Sequence, residues 1–272
     1  MNACDGSVEP KVNPKTATLY SAALEDGDYH SRTEKLTALA LGLFTPFPEK
    51  MQINRAFGKS MYQQYAQEGF ANMFDIGAGP MPKGHEWAPQ GRFLYIDHNA
   101  SIVEHARKKL RPEDAAVYER GGVGDIPSLF EQGLGERAFK GDRKLAIASN
   151  AVLMFASDEE VRAAFSYLYE WCAPGSVATI TIIGVTAREN AFRTRMISNV
   201  LSWIGAQMSV RNIGAFESLF APWSIVRGPI PTWEWLSWPP STRTAGIGFD
   251  LYAVQLMKRG SDAHPKERHR AE

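Results

Sequence analysis

The chain has 272 residues, a length that suits one large α/β domain with additions or one domain plus a small cap. Hydrophobic residues make up 44% of it and charged residues 22%, as in a globular protein with a full core. The 30 basic and 30 acidic residues cancel, so the charge balance does not favour a nucleic-acid-binding protein, which usually carries a basic excess. The polar N-terminus lacks the apolar segment of a signal peptide, and the longest apolar run, residues 177–185, is too short to span a membrane. We therefore expect a cytoplasmic protein without membrane contacts.

The first quarter of the chain is predicted to be helical. Residues 1–14 are polar, contain two prolines and are expected to be disordered. Residues 15–69 are predicted to form an N-terminal helical extension or cap, in which Phe57, Met61 and Tyr65 recur near helical spacing. The two cysteines, Cys4 and Cys172, suit neither a disulfide framework nor a metal site, and we expect two free thiols and no metal.

From residue 70 onward, short apolar runs alternate with helical patterns. Predicted strands cover residues 72–76, 92–97, 115–119, 144–149, 177–185 and 249–258. Predicted helices cover residues 101–110, 126–133, 191–207, a stretch around Phe216, and a segment that Ser157 caps and that runs to Cys172. This alternation predicts an α/β domain over residues 70–259 with a doubly wound, mostly parallel sheet, followed by a disordered tail over residues 260–272. Such sheets bind ligands at the carboxyl ends of their strands.

A glycine turn follows the first predicted strand, in the segment Asp75-Ile76-Gly77-Ala78-Gly79. Glycines at these places allow a tight turn and a close approach of the backbone to a ligand. Asp97 ends the second predicted strand, where a carboxylate can accept hydrogen bonds from the ribose hydroxyls of an adenosine-bearing cofactor. The alternative is an ordinary βα turn with a surface aspartate.

The residues around this turn discriminate between adenosine cofactors. A dinucleotide site has a third glycine that brings a helix N-terminus against the pyrophosphate, and here Pro80 and Pro82 follow Gly79 instead. Asp75 would repel a diphosphate and attract a cation. S-adenosylmethionine carries an ammonium, a sulfonium and no phosphate, so the charges favour it over NAD.

The segments MFDIGAGP (residues 73–80) and FLYIDHNASIVEHARKKL (93–110) resemble motif I and the second-strand motif of class I S-adenosylmethionine-dependent methyltransferases. The resemblance is closest to a bacterial branch whose members are largely uncharacterised or belong to natural-product pathways. It extends over roughly residues 15–258 and includes the NRAF segment at 54–57. It implies a Rossmann-like sheet of seven strands and methyl transfer to a small molecule, in specialised metabolism.

The resemblance also implies roles for single residues. Gly77, Ala78 and Gly79 would lie under the cofactor, Asp75 would face its amino group, and Asp97 would hold the ribose. Further implied cofactor contacts are His98 beside adenine, Asn150 and Ala151 beside the methionine moiety, Arg55 at the carboxylate, and His85. For Arg55 a surface ion pair, and for His85 a loop-ordering role, remain alternatives. The branch has an acidic residue near Gly122, so the adenine contact falls either to Asp125 or to backbone near Gly122 and Val123. A histidine of the branch is replaced by Met154.

Two regions are candidates for the acceptor pocket. One holds Tyr20, Tyr29 and His30, with His30 as a conceivable base. The other is the segment 223–238, where Trp233 and Trp235 would form an aromatic wall or simply fill core. Methyl transfer is a direct displacement that mainly needs alignment, so the sequence designates no catalytic residue. Alternatives to a methyltransferase are a protein of this fold acting as a cyclase or other non-methylating enzyme, or a non-catalytic binding protein. The oligomeric state stays open.

Overall fold

The structure is a computed structural model that describes residues 21–24, 32, 35–36, 47–185, 209–239 and 250–260. Within these ranges, the strands are β1 Asn72–Ile76, β2 Arg92–Asp97, β3 Ala116–Arg120, β4 Ala146–Asn150, β5 Val177–Val185, β6 Arg211–Asn212, β7 Ser224–Pro231 and β8 Asp250–Met257. The α-helices are α1 Phe47–Gln67, α2 Gly84–Trp87, α3 Ala100–Arg107, α4 Ile126–Glu131, α5 Leu134–Phe139, α6 Asp158–Trp171, α7 Phe216–Phe220 and α8 Thr232–Trp235. Residues 21–23 are also helical.

The strands form one mostly parallel sheet, which confirms the predicted fold class. Its order is β3-β2-β1-β4-β5-β8-β7, and the short β6 pairs with the end of β5. Strands β1 to β5 run parallel, and β8 runs antiparallel to both β5 and β7. The chain moves outward from β1 to β3 and then returns to β4 on the other side of β1. The carboxyl ends of β1 and β4 therefore border a crevice, which is where sheets of this kind bind ligands.

Alternate residues of the inner strands face two separate hydrophobic layers. Phe74 and Ile147 pack in the layer formed with α6, whereas Met73 and Ala148 pack in the layer formed with α1. Helix α1 is anchored on the sheet because the hydroxyl of Tyr65 donates to Thr179 Oγ1 at 2.5 Å. The C-terminal part of the predicted extension thus shares its core with the sheet.

The predicted elements match the structure most closely where the sequence pattern is strongest. The strands over 72–76, 92–97 and 177–185 have the predicted bounds, and Ser157 forms a capping box with Glu160 at the start of α6. The helix predicted over 126–133 corresponds to α4, which ends at Glu131, and a second helix, α5, for which no prediction was made, begins after the left-handed Gly133. Strand β7 lies in a segment for which no strand was predicted. The predicted helix 191–207 and residues 1–14 and 261–272 lie outside the described residues.

The described ranges lack both a membrane-spanning helix and a cluster of metal ligands. None of their helices is both long and apolar enough to cross a membrane. They also hold no group of three or more His, Cys, Asp or Glu side chains that could bind a metal ion. The thiol of Cys172 is buried, and burial raises its pKa to about 12, which makes it a poor nucleophile.

Candidate functional site

A cavity of about 660 Å³ opens at the carboxyl ends of β1, β2 and β4. The turn after β1 forms one wall, and helix α1 forms the wall opposite it. Loops after β3 and β4 close the ends. This is the position that the strand order of the sheet favours for a ligand.

The glycine turn is fixed to the end of β2 by its backbone. The N–H groups of Gly77 and Ala78 donate to the carbonyl oxygen of Ile96 at 2.8 and 3.1 Å. Gly77 and Gly79 both have a φ of 71°, a conformation that side chains disfavour. A Cβ on Gly77 would lie 2.5 Å from the methyl carbons of Val152, so the turn has no room for a side chain there. No described atom lies within 4 Å of a Cβ built on Gly79, so space remains beside this glycine.

Asp97 lies at the end of β2 with its carboxylate buried in the cavity wall. Its Oδ1 accepts a hydrogen bond from the N–H of Asn99 at 2.9 Å and lies 3.3 Å from His98 Nδ1. Burial raises the pKa of Asp97, while backbone hydrogen bonds from Asn99 and Gly79 and the nearby His98 oppose that shift. A buried carboxylate at this place suits a ligand that brings hydroxyl donors.

Asp75, at the end of β1, is the second buried carboxyl group of the cavity. Burial raises its pKa to about 7, and the negative charge of Asp97 adds to the shift. The hydroxyl of Tyr62 and the positive charge of Arg55 act in the opposite direction. Asp75 therefore changes its charge near neutral pH, and a cationic ligand group beside it would favour the ionised form.

Arg55 lies on α1 and faces the turn after β1. Its guanidinium stacks over the ring of Trp87, 4.8 Å from the ring centroid, and its Nη1 donates to the carbonyl oxygen of Met81 at 3.5 Å. Both contacts hold the cation at the cavity wall. A planar guanidinium in this position can bind a carboxylate with two hydrogen bonds.

The end of β4 brings Asn150 and Ala151 to the cavity. Ala151 has a φ of 57°, and its N–H donates to Thr181 Oγ1 at 2.9 Å. Thr181 Oγ1 in turn donates to Asn54 Oδ1 of α1 at 2.8 Å. The Oδ1 atom of Asn150 is buried and accepts no hydrogen bond from the described residues. A buried acceptor of this kind requires a donor, which a ligand in the cavity can provide.

The loop after β3 closes the end of the cavity next to Asp97. Asp125 Oδ2 accepts the N–H of Gly122 at 2.8 Å, and both residues line the cavity together with Val123. His98 lies on the same side with 42% of its side chain exposed. Both predicted candidates for the adenine contact, Asp125 and the backbone near Gly122, are therefore within this wall.

His85 is not brought to the cavity. Its Nδ1 lies 3.0 Å from the hydroxyl of Tyr95, and its Nε2 lies 3.6 Å from Asp114 Oδ2. Burial lowers the pKa of His85. These contacts join the segment after the glycine turn to the sheet and to the loop before β3, which fits the loop-ordering alternative.

The tryptophans of the predicted acceptor wall also lie away from the cavity. Trp233 donates from Nε1 to Asp250 Oδ2 at 2.9 Å. Trp235 packs edge-on against Phe57 of α1 at 5.5 Å, and the Arg227 guanidinium covers its ring at 3.7 Å. Both rings fill space between the last strands and α1. The other predicted acceptor residues, Tyr20, Tyr29 and His30, lie outside the described residues.

Three cavity residues of α1 were not predicted from the sequence: Asn54, Gly58 and Tyr62. They are spaced four residues apart and so form one stripe on the helix. Gly58 allows close contact, because a Cβ there would lie 3.4 Å from Asn150 Nδ2. Polar and small residues at this spacing, beside the apolar positions Phe57, Met61 and Tyr65 of the same helix, are the signal that could have indicated a cavity wall.

Comparison with known proteins identifies the family. A sequence model of a family described as S-adenosyl methyltransferase matches residues 7–249. The chain belongs to this family. No curated protein matches the chain. This S-adenosyl methyltransferase uses S-adenosylmethionine, and the alternative of NAD is not supported.

Solved structures share the fold of this methyltransferase. A candidate methyltransferase from Thermobifida fusca is 19% identical, with a TM-score of 0.73, over 90% of this chain and 94% of that one. A DUF574 family protein from Streptomyces avermitilis is 21% identical, with a TM-score of 0.69, over 89% and 97%. A geranyl diphosphate methyltransferase in complex with S-adenosylmethionine is 12% identical, with a TM-score of 0.51, over 74% and 85%.

The residues of the cavity fit this cofactor. Two buried carboxyl groups, Asp75 and Asp97, suit an ammonium and a ribose and would repel a pyrophosphate. Pro80 and Pro82 follow the glycine turn, and α2 begins only at Gly84, so no helix N-terminus is offered to a phosphate directly after Gly79.

Proposed function

We propose that this methyltransferase transfers the methyl group of S-adenosylmethionine to a small-molecule acceptor in specialised metabolism. The observation that carries this proposal is the cavity of about 660 Å³ between the glycine turn and α1. Its volume is in the range of sites that enclose small ligands, not of open surfaces that bind macromolecules. The assignment to specialised metabolism depends on the sequence resemblance to the bacterial natural-product branch.

The proposed arrangement places the adenosine part of the cofactor at the β2 and β3 end of the cavity. Asp97 accepts hydrogen bonds from the ribose hydroxyls, and His98 lies beside adenine. Asp125 or the backbone at Gly122 contacts the adenine amino group. Hydrogen bonds from Asn99 and Gly79 keep the Asp97 carboxylate oriented, which supports this role.

The amino-acid part of the cofactor is proposed to lie between β1, β4 and α1. Asp75 and Asn150 face its ammonium group, and Arg55 binds its carboxylate. Gly77, Ala78 and Gly79 let the backbone pass close beneath it, since Gly77 has no room for a side chain. The opposite charges of Asp75 and Arg55 match the two charges of an amino acid.

When bound, S-adenosylmethionine supplies an electrophilic methyl group on its sulfonium. The protein's part is to orient the acceptor and to exclude water. Besides the residues assigned to the cofactor, the described lining includes the uncharged residues Ser21, Leu24, Asn54 and Phe155. Leu24, Ala151 and Phe155 all pack against the same small apolar cluster, so they add apolar surface to the cavity. Such a lining favours a neutral acceptor of small size.

The fold and the overall charge are consistent with a small acceptor. A geranyl diphosphate methyltransferase has the same fold, so the fold can serve a small-molecule methyltransferase. The balanced charge of 30 basic and 30 acidic residues gives no basic excess for a nucleic-acid acceptor.

The test follows the methyl group. The protein is incubated with S-adenosylmethionine labelled in its methyl group and with a bacterial extract separated by ultrafiltration into small molecules and macromolecules. We expect formation of S-adenosylhomocysteine and transfer of label with the small-molecule fraction. Asp97→Ala should strongly reduce both signals when S-adenosylmethionine is limiting and serves as the matched control. Label that enters only protein or nucleic acid would overturn the proposal.

A further inference from the structure

Tyr62 has a buried hydroxyl whose hydrogen-bonding capacity the interior of the protein does not fill. The residue is 2% exposed and lines the cavity. Among the described residues, no group meets normal hydrogen-bond geometry with this hydroxyl, although the Asp75 carboxyl lies close enough to interact with it. Leaving such a group without a partner is costly, and native proteins rarely do so without a function. The hydroxyl of Tyr65, on the same helix, is satisfied by Thr179.

The ring of Tyr62 is held by aromatic neighbours. Phe93 contacts it edge-on at 5.7 Å, and Trp87 lies at 6.1 Å. The side chain is therefore fixed by packing, and its hydroxyl stays at the cavity wall. A ligand in the cavity meets this group in a defined position.

Three oxygen acceptors come together at this part of the cavity. The Tyr62 hydroxyl lies close enough to Asp75 for each to shift the pKa of the other. Asn150, whose Oδ1 also lacks a described partner, is two residues beyond Ala148, the register partner of Asp75 on β4. An ammonium group has three N–H donors and no acceptor, so it matches a set of three acceptors. Arg55, about two turns before Tyr62 on α1, carries the charge that would bind the cofactor's carboxylate.

We infer that Tyr62 is a positioning residue of the cofactor site, whose hydroxyl accepts a hydrogen bond from the α-ammonium group of S-adenosylmethionine beside Asp75 and Asn150. This inference rests on the proposed placement of the cofactor's amino-acid part. The sequence motifs place the binding site of the ammonium group at the ends of the strands only. The inference adds a side chain from α1 to that site. Fixing the ammonium aligns the rest of the amino-acid chain, and with it the sulfonium.

The test compares two ligands and two tyrosines by titration calorimetry. S-adenosylmethionine has the ammonium group, whereas methylthioadenosine keeps the adenosine and lacks the amino-acid part. Tyr62→Phe should weaken binding of S-adenosylmethionine about 10-fold and leave binding of methylthioadenosine unchanged. The loss should persist at about pH 8, where Asp75 is ionised. Tyr65→Phe is the matched control and should change neither affinity.

Unfolding temperatures of the unliganded proteins separate function from structure. Tyr62→Phe should unfold close to the wild-type temperature, because the substitution removes a buried hydroxyl that has no partner in normal hydrogen-bond geometry among the described residues. Tyr65→Phe should unfold at a lower temperature, because it loses the bonds to Thr179 and to the carbonyl of Ile147.

Several outcomes would overturn the inference. They are an unchanged affinity of Tyr62→Phe for S-adenosylmethionine, an equal loss for both ligands, or a loss that disappears at about pH 8. The last result would mean that Tyr62 acts only through Asp75. A wild-type protein that binds neither ligand would instead refute the proposed cofactor placement, so the two failures are distinguishable.

Discussion

The two walls of the cavity are built in different ways. The wall after β1 consists of backbone and carboxylates, and its groups are tied to the sheet: Gly77 donates to Ile96, and Asp97 accepts from Asn99. The wall formed by α1 consists of side chains from one helix, and the Tyr62 hydroxyl on it has no described partner. The groups of the first wall are thus held without a ligand, while the second wall carries a hydroxyl whose hydrogen-bonding capacity a ligand can fill. Substitutions should therefore affect folding and binding together at the first wall and separately at the second.

The largest effect is expected from Gly77→Val. The new side chain would collide with Val152, where even a Cβ lies only 2.5 Å from its methyl carbons, and would force a left-handed residue into strain. Overpacking and strain together cost about 3 kcal/mol, and cofactor affinity should fall by about 100-fold as the turn moves. Calorimetry and thermal unfolding measure the two effects.

Gly69→Val is the matched control for Gly77→Val. Gly69 also has a positive φ of 79°, but no described atom lies within 4 Å of a Cβ built there. This variant should lose stability from backbone strain and keep its cofactor affinity. Similar affinity losses in both variants would show that strain alone, not the close approach at Gly77, accounts for the effect.

The second largest effect is expected from Asp97→Ala. Removing the carboxylate from the end of β2 should weaken binding of S-adenosylmethionine by about 10- to 100-fold, because a charged acceptor for two ribose hydroxyls is lost. A cofactor analogue that lacks the ribose hydroxyls should bind the wild type and the variant equally. Asp125→Ala, in the loop after β3, should weaken binding less. If it weakened binding as much as Asp97→Ala does, the carboxylate that contributes most to cofactor binding would be the one beside adenine.

The charge of Asp75 gives the third prediction. Its pKa is raised to about 7 by burial, with Tyr62, Arg55, Asp97 and Tyr95 as its ionisable neighbours. An ammonium ligand requires the ionised form, so affinity should rise about 10-fold per pH unit below pH 7 and level off above it. Asp75→Asn should abolish this slope. A slope that persists in Asp75→Asn would assign the titration to another group, such as Asp97.

The same shift predicts a pH dependence of stability in the unliganded protein. The folded-state pKa of Asp75 is raised above its unfolded value of 3.8, so folding favours the protonated carboxyl. Its contribution to stability is complete below about pH 4 and is lost as the pH rises towards 7. Cofactor should restore stability above pH 7, where the carboxylate gains a cation.

The two walls of the cavity also differ in how well the sequence predicts them. Gly77, Gly79, Asp75 and Asp97 lie in a short stretch whose strand pattern and glycine spacing are local features, so the sequence locates them. Which stripe of α1 faces the cavity depends on how that helix packs on the sheet, through contacts such as Tyr65 with Thr179, which are far apart in the chain. The stripe of Asn54, Gly58 and Tyr62 was therefore missed.

The segment 223–238 shows the same limit at the level of the fold. Its prolines and tryptophans resemble a loop or a pocket wall, yet β7 forms there because it pairs with β8, which begins only at Asp250. The register between the two strands is irregular between Ile225 and Ile230, so the segment lacks the alternation of a regular strand. Pairing with a distant strand, not local pattern, determines this structure.

The smallest effect on binding is expected from His85→Ala. The histidine follows the glycine turn but contacts Tyr95 and Asp114 instead of the cavity. Loss of these contacts should lower the free energy of unfolding by about 1 kcal/mol, and cofactor affinity should change by about threefold or less. A loss of affinity as large as that of Asp97→Ala would make His85 part of the binding wall. The expected loss of stability without loss of affinity would show that His85 supports the loop after the glycine turn and does not contact the ligand. This part of the chain would then contribute to folding, although it lies next to the binding motif.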